Sequence, residues 1–386
     1  VNDSLGNSNG DLVISVVGQR VAQCLRAADT AARLGGDEFA VIIEDRVDAL
    51  DATAAADRIL EALRDPIEVA GRELHIAGSA GVAVSSGQLE SAWDLVRNAD
   101  LAHARAKAAG ARSSVRYSPE MHADVLRRLE LESNLAQGLN NDEFRVFYQP
   151  LVDLATGIIV GVEALVRWVN PIHGVVQPVD FLDVAEETGI IIPIGRSVFR
   201  QATRQVKEWS ARPGAARELE LAVNLSETQA QDPGLLQDVA SVLNEVGLPA
   251  QRLVFEITET VLVRDAAAAT DQLNGLKALG AQVAIDDFGT GYSSLANLSQ
   301  LPVDILKIDR TFVQGITDRR QDLDLVEAII VLAGSLRLGT VAEGIETEAQ
   351  RHTLARLGCH RGQGYHSSRP LAAKDFEKLL EDNSSL

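Results

Sequence analysis

The spacing of apolar residues divides the chain into distinct parts, and the first part alternates between helix and strand patterns. Apolar side chains recur at helical intervals over residues 11–27, 49–64 and 91–109. The segment ARLGGDEFAVII at 32–43 predicts a hairpin, in which two strands flank a Gly-Gly turn. Residues 1–118 are therefore expected to form an α/β sandwich of roughly one hundred residues.

One further helical pattern, over residues 119–140, connects this part to the rest of the chain. Its apolar positions recur only irregularly at helical intervals. The helix is therefore either a solvated rigid spacer, which is the simpler interpretation, or part of a dimer contact.

The remaining part, residues 141–386, alternates strand-like apolar runs with helical segments. The strand candidates are FRVFYQP, IVGVEALVRW, LELAVNLS, LVFEITE, QVAIDDFG, DILKIDR, TVAEGIE and a last one near GQGYHS. Eight strands with helices between most of them, in about 240 residues, predict a (β/α)8 barrel of the TIM type. An open doubly wound sheet is the alternative, although no glycine-rich dinucleotide fingerprint follows the first strand.

Six of these strands carry a polar residue late in the apolar run, on one consistent face. The residues are Glu163, Asn224, Glu256, Asp286, Lys307 and Glu343. A single carboxylate at a strand end is usually a solvated cap or an ion-pair partner. Six such residues that converge on the carboxyl-terminal rim of a barrel predict an active site, because barrels of this type carry their chemistry there.

The chemical type of these side chains limits which metal ions could bind to them. Carboxylate and amide oxygens, with almost no His or Cys among them, favour Mg²⁺ or Mn²⁺ over zinc or copper. The neighbours Asp286 and Asp287 could hold two ions roughly 3.5–4 Å apart. Taken alone, however, Asp-Asp-Phe-Gly is also typical of an ordinary strand-to-turn junction.

Composition excludes several other classes of protein. A net charge of −19 argues against a protein that binds DNA or RNA polymers by neutralising their phosphates. Cys24 and Cys359 are too far apart for a metal knuckle, and two cysteines indicate a reducing cytoplasm. No apolar run reaches the roughly 18 residues of a membrane helix. The start of the chain shows no signal peptide, and an upstream membrane anchor in a longer parent protein is left open.

A series of short motifs follows in order through residues 141–380. They are Glu163-Ala164-Leu165 with Val-Arg-Trp, Asn224-Leu-Ser, Glu256-Ile-Thr-Glu259, Asp286-Asp287-Phe288-Gly289-Thr290-Gly291, Lys307-Ile-Asp309, Glu343-Gly-Ile-Glu346 and Gln363-Gly-Tyr365. In this order they resemble the EAL-type phosphodiesterases, which hydrolyse the bacterial second messenger cyclic di-GMP. The Glu-Ala-Leu tripeptide alone is a weak pattern, whereas the complete ordered set is specific.

The resemblance implies hydrolysis of cyclic di-GMP to linear pGpG, with two Mg²⁺ or Mn²⁺ ions in each active site. The implied metal ligands are Glu163, Asn224, Glu256, Asp286 and Asp287, with Asp286 shared between the ions and Glu343 nearby. Lys307 and Glu343 are the candidates for positioning or deprotonating the attacking water. The simpler interpretation of Lys307 is a buried ion pair with Asp309.

The same resemblance implies further residues around the substrate. Glu259 is expected to hold the loop DFGTGYSS in place. The implied substrate-binding residues are Gln149, Leu165, Arg167, Asp309 and Gln363. The planar fork of Arg167 suits a phosphate group.

Residues 1–118 contain Gly35-Gly36-Asp37-Glu38-Phe39 in the predicted hairpin, and this part resembles the GGDEF diguanylate cyclases. The resemblance implies a nucleotide site for GTP formed by Asn2, Asp3, Asp37, Glu38 and Lys107. It also implies an inhibitory product site formed by Arg26 and Asp29. The family's first strand supplies a metal-binding Asp upstream of Asn2. We therefore expect a GGDEF domain without that strand, and little or no cyclase activity of this chain.

The leading hypothesis is a metal-dependent cyclic di-GMP phosphodiesterase, with a GGDEF part that is regulatory or acts as a partner cyclase in a longer parent. One alternative is a receptor that binds cyclic di-GMP without turnover. Another is a bifunctional cyclase and phosphodiesterase. An unrelated metal-dependent barrel enzyme would account for the carboxylates but not for the ordered motifs. A homodimer is expected because relatives usually act as dimers.

Overall fold

The computed structural model describes residues 7–44, 49–85, 91–110, 112–211, 219–258, 266–289 and 301–383. Contacts between Cα atoms divide the chain into two compact units, Val1–Glu130 and Leu131–Leu386. The division falls inside the helix at Pro119–Asn140, the segment that the sequence predicts as a connecting helix. Within the described segments, no helix combines the length and the apolar character that crossing a bilayer requires.

The first unit is a mixed α/β domain, as predicted. Its helices are α1 (Asn7–Gln23), α2 (Ala49–Ala62), α3 (Ala92–Ala108) and the beginning of α4 (Pro119–Asn140). Its strands are β1 (Thr30–Gly35), β2 (Glu38–Ile42), β3 (Ile67–Val69), β4 (Arg72–Leu74), β5 (Ala80–Val82) and β6 (Ser114–Arg116). The pairs β1–β2 and β3–β4 are antiparallel, and β5–β6 is parallel.

Three local features explain why these elements form. The predicted hairpin is confirmed, because β1 and β2 pair across a turn in which Gly36 has a φ of 53°, which glycine adopts without strain. Ser91 caps the start of helix α3, because its hydroxyl accepts a hydrogen bond from the Asp94 amide at 3.1 Å. Strand β5 then packs so closely on α3 that a Cβ at Gly81 would lie 2.2 Å from the Ala99 carbonyl oxygen.

The second unit is built around a closed barrel of eight strands, which confirms the predicted architecture. The barrel strands are β7 (Phe144–Asp153), β8 (Ile159–Asn170), β10 (Glu220–Asn224), β11 (Leu253–Thr258), β12 (Gln282–Phe288), β13 (Ile305–Ile308), β14 (Gly339–Ala342) and β15 (Arg361–Gly362). Two short strands, β9 (Gly174–Val176) and β16 (Leu371–Ala372), pair with β8 and β7 outside the ring.

Helices surround the barrel and cover its outer surface. They are α5 (Leu182–Glu187), α6 (Ile191–Ser210), α7 (Glu227–Ala230), α8 (Leu235–Val246), α9 (Ala266–Ala278), α10 (Arg310–Val313), α11 (Arg320–Ser335), α12 (Glu348–Arg356) and α13 (Ala373–Asn383). Short 3-10 turns lie at Pro178–Asp180 and Ala250–Arg252.

One strand departs from the all-parallel arrangement of a regular (β/α)8 barrel. Strand β7 runs antiparallel to both of its neighbours in the ring, β8 and β15, whereas the other seven ring strands run parallel to one another. The connection explains the direction: only residues 154–158 separate β7 from β8, and a parallel crossover needs a dozen or more residues. Asp153 stabilises this tight turn by accepting a hydrogen bond from the Thr156 amide at 2.8 Å.

The barrel interior is stacked in layers, as alternation along the strands requires. The outward residues, such as Phe255 and Ile257 of β11, pack against the helices in the main core. The inward residues form a separate apolar layer that contains Leu151, Ala222, Val254, Ala284, Ile305 and Val341. At the amino-terminal end of the parallel strands, an ion pair between Glu220 and Arg361 lies next to this layer.

Candidate active site

The polar rim residues lie one layer above the apolar interior of the barrel, each two positions after an inward-facing residue. Asn224 follows Ala222, Glu256 follows Val254, Asp286 follows Ala284, Lys307 follows Ile305 and Glu343 follows Val341. Because the strands are parallel and paired in register, with Asn224 opposite Glu256, the six predicted side chains meet at the carboxyl-terminal end.

Lys307 is the centre of this cluster. Its side chain is 1% exposed, and its ammonium nitrogen lies 2.7 Å from Glu256 Oε2, 3.1 Å from Asp286 Oδ1 and 2.7 Å from Glu343 Oε1. Burial would lower the pKa of Lys307, but the surrounding carboxylates outweigh it and hold the pKa well above its ordinary value. Lys307 is therefore a buried ammonium group.

The simpler interpretation of Lys307, an ion pair with Asp309, is wrong. The ion pairs of Lys307 go to the three rim carboxylates instead. Asp309 caps helix α10, because its Oδ1 accepts a hydrogen bond from the Thr311 amide at 2.9 Å. Burial raises the pKa of Asp309, but hydrogen bonds from Thr311 and Asp287 keep it below its ordinary value.

Glu163 is held by two side-chain amides. Asn224 Nδ2 donates to Glu163 Oε1 at 2.7 Å, and Gln363 Nε2 donates to Glu163 Oε2 at 2.8 Å. Gln363 Nε2 also lies 3.1 Å from Glu343 Oε1. Burial raises the pKa of Glu163, but Lys307 and the two amides more than compensate, so the pKa is lowered and Glu163 is an anion.

The remaining carboxylates have too little positive charge near them to offset the cost of burial. Burial raises the pKa of Glu256 well above its ordinary value; Lys307 opposes this shift, while Glu163 and Asp286 add to it. Burial also raises the pKa of Glu343 to about 7, although Lys307 again opposes the shift. Four carboxylates around one ammonium group form a site to which divalent cations are strongly attracted.

Asp286 and Asp287 reach the same site because the strand is irregular there. Adjacent residues of a regular strand point to opposite faces. Asp287 has a φ of 53°, and the pairing of β12 with β13 shifts register between Ile285 and Phe288. As a result, one carboxylate oxygen from each of Asp286, Asp287 and Glu343 lies within 4.8 Å of the others. Burial, Asp286 and Asp309 raise the pKa of Asp287.

The donor set fits hard divalent cations. The converging ligand atoms are carboxylate oxygens of Asp286, Asp287 and Glu343, which Mg²⁺ and Mn²⁺ prefer. The two neighbouring groups, Glu163 with Glu256 and Asp286 with Asp287, could therefore hold the expected ions. The acidic cluster itself is present as the sequence suggests.

The predicted substrate-binding residues of the second unit lie at or beside the rim. Gln149 is opposite Glu163 in the β7–β8 ladder, and its Nε2 donates to the Ser368 carbonyl at 3.2 Å. Leu165 and Arg167 are half-buried further along β8. Arg167 Cζ lies 5.8 Å from the centre of the Phe147 ring, and its Nη1 donates to the Val166 carbonyl at 2.8 Å.

The predicted GGDEF site residues that the structure describes in the first unit are mostly exposed. Asp37 and Glu38 are exposed at the turn of the β1–β2 hairpin, and Lys107 is exposed in the last turn of α3. Arg26 is exposed, and its amide donates to Asp29 Oδ2 at 2.8 Å. Three predicted site residues lie outside the described residues: Asn2, Asp3 and Glu259.

Sequence reasoning missed two contacts next to the site. Arg369 Cζ lies 4.2 Å from the centre of the Tyr365 ring, in a cation–π arrangement. Phe147 supports Arg167 in a similar way. The sequence signal available for the first contact was the spacing of Tyr365, two positions after Gln363, and Arg369, four positions further on.

Comparisons with known protein families agree with the order of the motifs and with the barrel fold. The family model of the EAL domain matches residues 132–370, and that of the diguanylate cyclase GGDEF domain matches residues 1–113. The chain belongs to the EAL family, and its first part belongs to the GGDEF family. The resemblance that the motifs indicate is thereby confirmed.

Two curated relatives are similar to nearly the whole of this chain. The bifunctional diguanylate cyclase/cyclic di-GMP phosphodiesterase MucR of Pseudomonas aeruginosa is 40% identical over 376 residues, which are 97% of this chain and 54% of MucR. The cyclic di-GMP phosphodiesterase NbdA of the same species is 36% identical over 380 residues, which are 98% of this chain and 48% of NbdA. The chain thus spans about half the length of these relatives.

Solved EAL structures are similar to the second unit. The c-di-GMP complex of the PaMucR phosphodiesterase has a TM-score of 0.61 and 42% identity, and the similarity covers 64% of this chain and 99% of that chain. The EAL domain of FimX from Pseudomonas aeruginosa, bound to c-di-GMP, has a TM-score of 0.57 and 29% identity, with 62% and 96% covered.

Proposed function

We propose that the EAL unit hydrolyses cyclic di-GMP to linear pGpG with two Mg²⁺ or Mn²⁺ ions bound at the barrel rim. The observation that carries this proposal is the buried cluster in which Lys307 lies among Glu256, Asp286 and Glu343. Such an excess of carboxylates attracts divalent cations, and the EAL sequence family and the named cyclic di-GMP phosphodiesterases MucR and NbdA support the substrate.

The metal positions follow from the donor groups. Glu163, Asn224, Glu256 and Asp286 would hold one ion, and Asp286 and Asp287 would bridge to the second, with Glu343 nearby. Bound divalent ions supply Lewis-acid stabilisation of the phosphoryl oxygens and lower the pKa of water. Gln363 fixes the orientation of Glu163 through the hydrogen bond at 2.8 Å, and hydrogen bonds of this type keep metal ligands in position.

The proton transfer is assigned to the pair Lys307 and Glu343. Their contact of 2.7 Å places an ammonium donor and a carboxylate acceptor side by side at the rim. Glu343 is the candidate for deprotonating the water that attacks the phosphorus in line with the leaving 3′-oxygen, and the Lys307 ammonium is the candidate for orienting that water. Glu259 is proposed to hold the neighbouring loop.

Substrate binding is assigned to groups around the metals. Arg167 presents a guanidinium fork that can bind a phosphate. Gln149, Leu165, Asp309 and Gln363 are proposed to contact the dinucleotide. The PaMucR and FimX structures, both with c-di-GMP bound, support a ligand of this size at such a barrel. The net charge of −19 is compatible with it, since two ions and Arg167 would offset the local acidity.

For the GGDEF unit we propose a regulatory role, with GTP as the candidate ligand and little cyclase activity from this chain. A bifunctional longer protein is the second candidate function, because the MucR relative carries that name at 40% identity. A homodimer is proposed as the active form, and sedimentation or light scattering in solution tests it.

Product analysis tests the proposed function. The chain is incubated with cyclic di-GMP and Mg²⁺ or Mn²⁺, in parallel with GTP, and the products are separated by chromatography. We expect pGpG from cyclic di-GMP, no turnover in chelator, and little or no cyclic di-GMP from GTP. Tight binding of cyclic di-GMP without hydrolysis in either metal would instead identify a receptor.

A further inference from the structure

The ion pair between Glu220 and Arg361 lies inside the barrel, at the end opposite the candidate active site. Arg361 Nη1 donates to Glu220 Oε2, and the two side chains are 35% and 18% exposed, respectively. Glu220 faces inward, because Ala222, two positions later, belongs to the inner apolar layer. Arg361 faces inward as well, because Gln363, two positions later, contacts the rim carboxylates. The chemistry proposed above uses neither member of the pair.

The ion pair links two strands that are not neighbours in the ring. Glu220 is the first residue of β10 and Arg361 the first of β15, and strands β8 and β7 lie between these two strands. Gly161 of β8 gives Glu220 room to point inward, because a Cβ at position 161 would lie 3.1 Å from Glu220 Cβ. The pair therefore connects β10 to β15 across the barrel interior, in addition to the hydrogen bonds between neighbouring strands.

The same two strands position the amides that hold Glu163. Asn224 ends β10 and donates to Glu163 Oε1 at 2.7 Å, and Gln363 follows β15 directly and donates to Glu163 Oε2 at 2.8 Å. Strand β15 is the shortest of the ring strands, because it contains only Arg361 and Gly362. Its pairing with β14 is correspondingly short, so the side chain of Arg361 adds an anchor close to Gln363.

Little space separates the ion pair from the carboxylates above it. A cavity of about 20 Å³ is lined by Glu220 and Arg361 at one end and by Glu163 and Glu256 at the other. This is room for about one water molecule, so the layers are packed closely and a shift of Arg361 would be transmitted to the rim. Stability alone does not explain a charged pair here, since apolar side chains of similar size are often equally stabilising. A charge-assisted hydrogen bond, however, fixes direction as well as distance.

We infer, on the basis of the proposed metal-dependent function, that Glu220 and Arg361 are positioning residues for the metal site. Their ion pair fixes β10 relative to β15, so that Asn224 and Gln363 hold Glu163 in the orientation that binds a divalent cation. Removing a hydrogen-bond partner of a metal ligand typically lowers metal affinity about 10–100-fold. The ion pair acts one step further from the ligand, so its effect belongs at the lower end of that range.

Mn²⁺ binding, measured by electron paramagnetic resonance of the free ion, tests this role without turnover. Glu220→Met and Arg361→Met nearly preserve the side-chain length and remove the charge. We expect each variant to raise the dissociation constant for Mn²⁺ about 10-fold, while kcat for cyclic di-GMP at saturating Mn²⁺ stays close to wild type. The double variant should lose no more affinity than either single variant, because each residue acts through the other.

The sign of the change separates positioning from a direct effect of charge on the metal. If the charges acted through their electric field, Arg361→Met would tighten Mn²⁺ binding and Glu220→Met would weaken it. Positioning predicts weaker binding in both variants. Arg361→Lys keeps the charge and should recover part of the affinity. Glu220→Gln can still accept a hydrogen bond from Arg361, and it replaces Glu220→Met if that variant does not fold.

Lys277→Met is the matched control. Lys277 of α9 pairs with Asp304 at the amino-terminal end of β13, and the two side chains are 33% and 32% exposed. Loss of this pair should lower the resistance of the protein to urea and leave the Mn²⁺ dissociation constant unchanged. An equal loss of Mn²⁺ affinity in Lys277→Met would assign the effect to overall stability and overturn the inference.

Two further results would overturn the inference: unchanged Mn²⁺ affinity in both Met variants, or shifts of opposite sign. Failure of the proposed function is distinguishable from these. Wild-type protein that binds Mn²⁺ in a manner abolished by Glu163→Gln, but that leaves cyclic di-GMP intact, would refute the proposed substrate while the Mn²⁺ comparison still decides the role of the ion pair. Wild-type protein that binds no Mn²⁺ would overturn both.

Discussion

The two units of the chain place their charged motif residues in opposite environments. In the EAL unit, Lys307 is almost completely buried and its three carboxylate partners lie at the barrel rim. In the GGDEF unit, Asp37 and Glu38 are exposed on a hairpin, and the ion pair of Arg64 with Glu61 leaves their side chains 57% and 65% exposed.

The two environments differ in how far the charged side chains are removed from water. A charge in water interacts weakly with its neighbours, while a buried charge interacts strongly and requires compensation. The rim of the EAL unit therefore attracts a divalent cation strongly, and the exposed motif of the hairpin attracts one only weakly. An intact motif indicates the family, and burial decides how strongly its charges act.

The largest expected effect follows from removing a rim carboxylate. Glu163→Ala should lower kcat/KM for cyclic di-GMP at least about 100-fold, because the loss of one ligand removes several kcal/mol of metal-dependent stabilisation. The matched control is Asp375→Ala, which removes an exposed carboxylate paired with Lys378 and should leave the rate unchanged. A Glu163→Ala protein as fast as wild type would disprove the proposed active site.

Removal of the central ammonium comes next. Lys307→Met leaves the buried Glu256 and the partly buried Asp286 and Glu343 without their partner, so the free energy of unfolding in chelator should fall by about 3–5 kcal/mol. Urea titration measures this, and saturating Mg²⁺ or Mn²⁺ should restore part of the loss. Lys378→Met is the control, because its pair with Asp375 is exposed. Equal losses of the free energy of unfolding in the two variants would contradict the conclusion that buried charges depend more strongly on their partners than exposed charges do.

Metal removal should have a pH-dependent effect on the EAL unit. The pKa of Glu343 is raised to about 7 and that of Glu256 is also raised, so the metal-free folded state binds protons more tightly than the unfolded state. Its stability therefore falls as the pH rises from near 4.5 to above 7. Cations compete with these protons for the carboxylates, so the stabilisation that bound cations provide increases with pH.

Thermal unfolding with and without Mn²⁺ measures this effect. We expect a gain in Tm of about 5 °C at pH 8 with excess metal, and clearly less at pH 6. Glu163→Gln should remove most of the gain at both pH values. A gain that is independent of pH, or equal in the Glu163→Gln protein, would contradict metal binding at the rim.

The smallest effect belongs to the first unit. Arg64→Ala breaks the exposed pair with Glu61 and should change the free energy of unfolding by less than about 0.5 kcal/mol, because water screens exposed charges. Urea titration in low and high salt checks this. A change comparable to that of Lys307→Met would mean that burial does not explain the difference between the units.

Much of the barrel could be predicted from the sequence, because its strands are short apolar runs with a polar residue on the inward face. The pattern in β11 predicts Val254 and Glu256 inward and Phe255 and Ile257 outward, and the structure places them so. The same period-two alternation predicted the convergence of six side chains, since parallel strands end at one rim.

Three features could not be predicted in this way. Strand direction is absent from an alternating pattern, so only the short connection at 154–158 indicated that β7 runs antiparallel. The irregular backbone at Asp287 breaks the period-two rule on which the prediction rested, and no residue type in Asp-Asp-Phe-Gly specifies a positive φ at the second Asp. The partners of Lys307 depend on side-chain packing across four strands, which no local pattern contains.

The reversed direction of β7 has a consequence for how the barrel is joined to the chain before it. In an all-parallel barrel the polypeptide enters at the end opposite the active site. Here Phe144, the first residue of β7, pairs with Trp168 near the carboxyl end of β8, and Trp168 Nε1 donates to Glu143 Oε2 at 2.9 Å. Helix α4 ends at Asn140, so residues 141–143 alone connect this helix to β7 at the carboxyl-terminal end of the barrel.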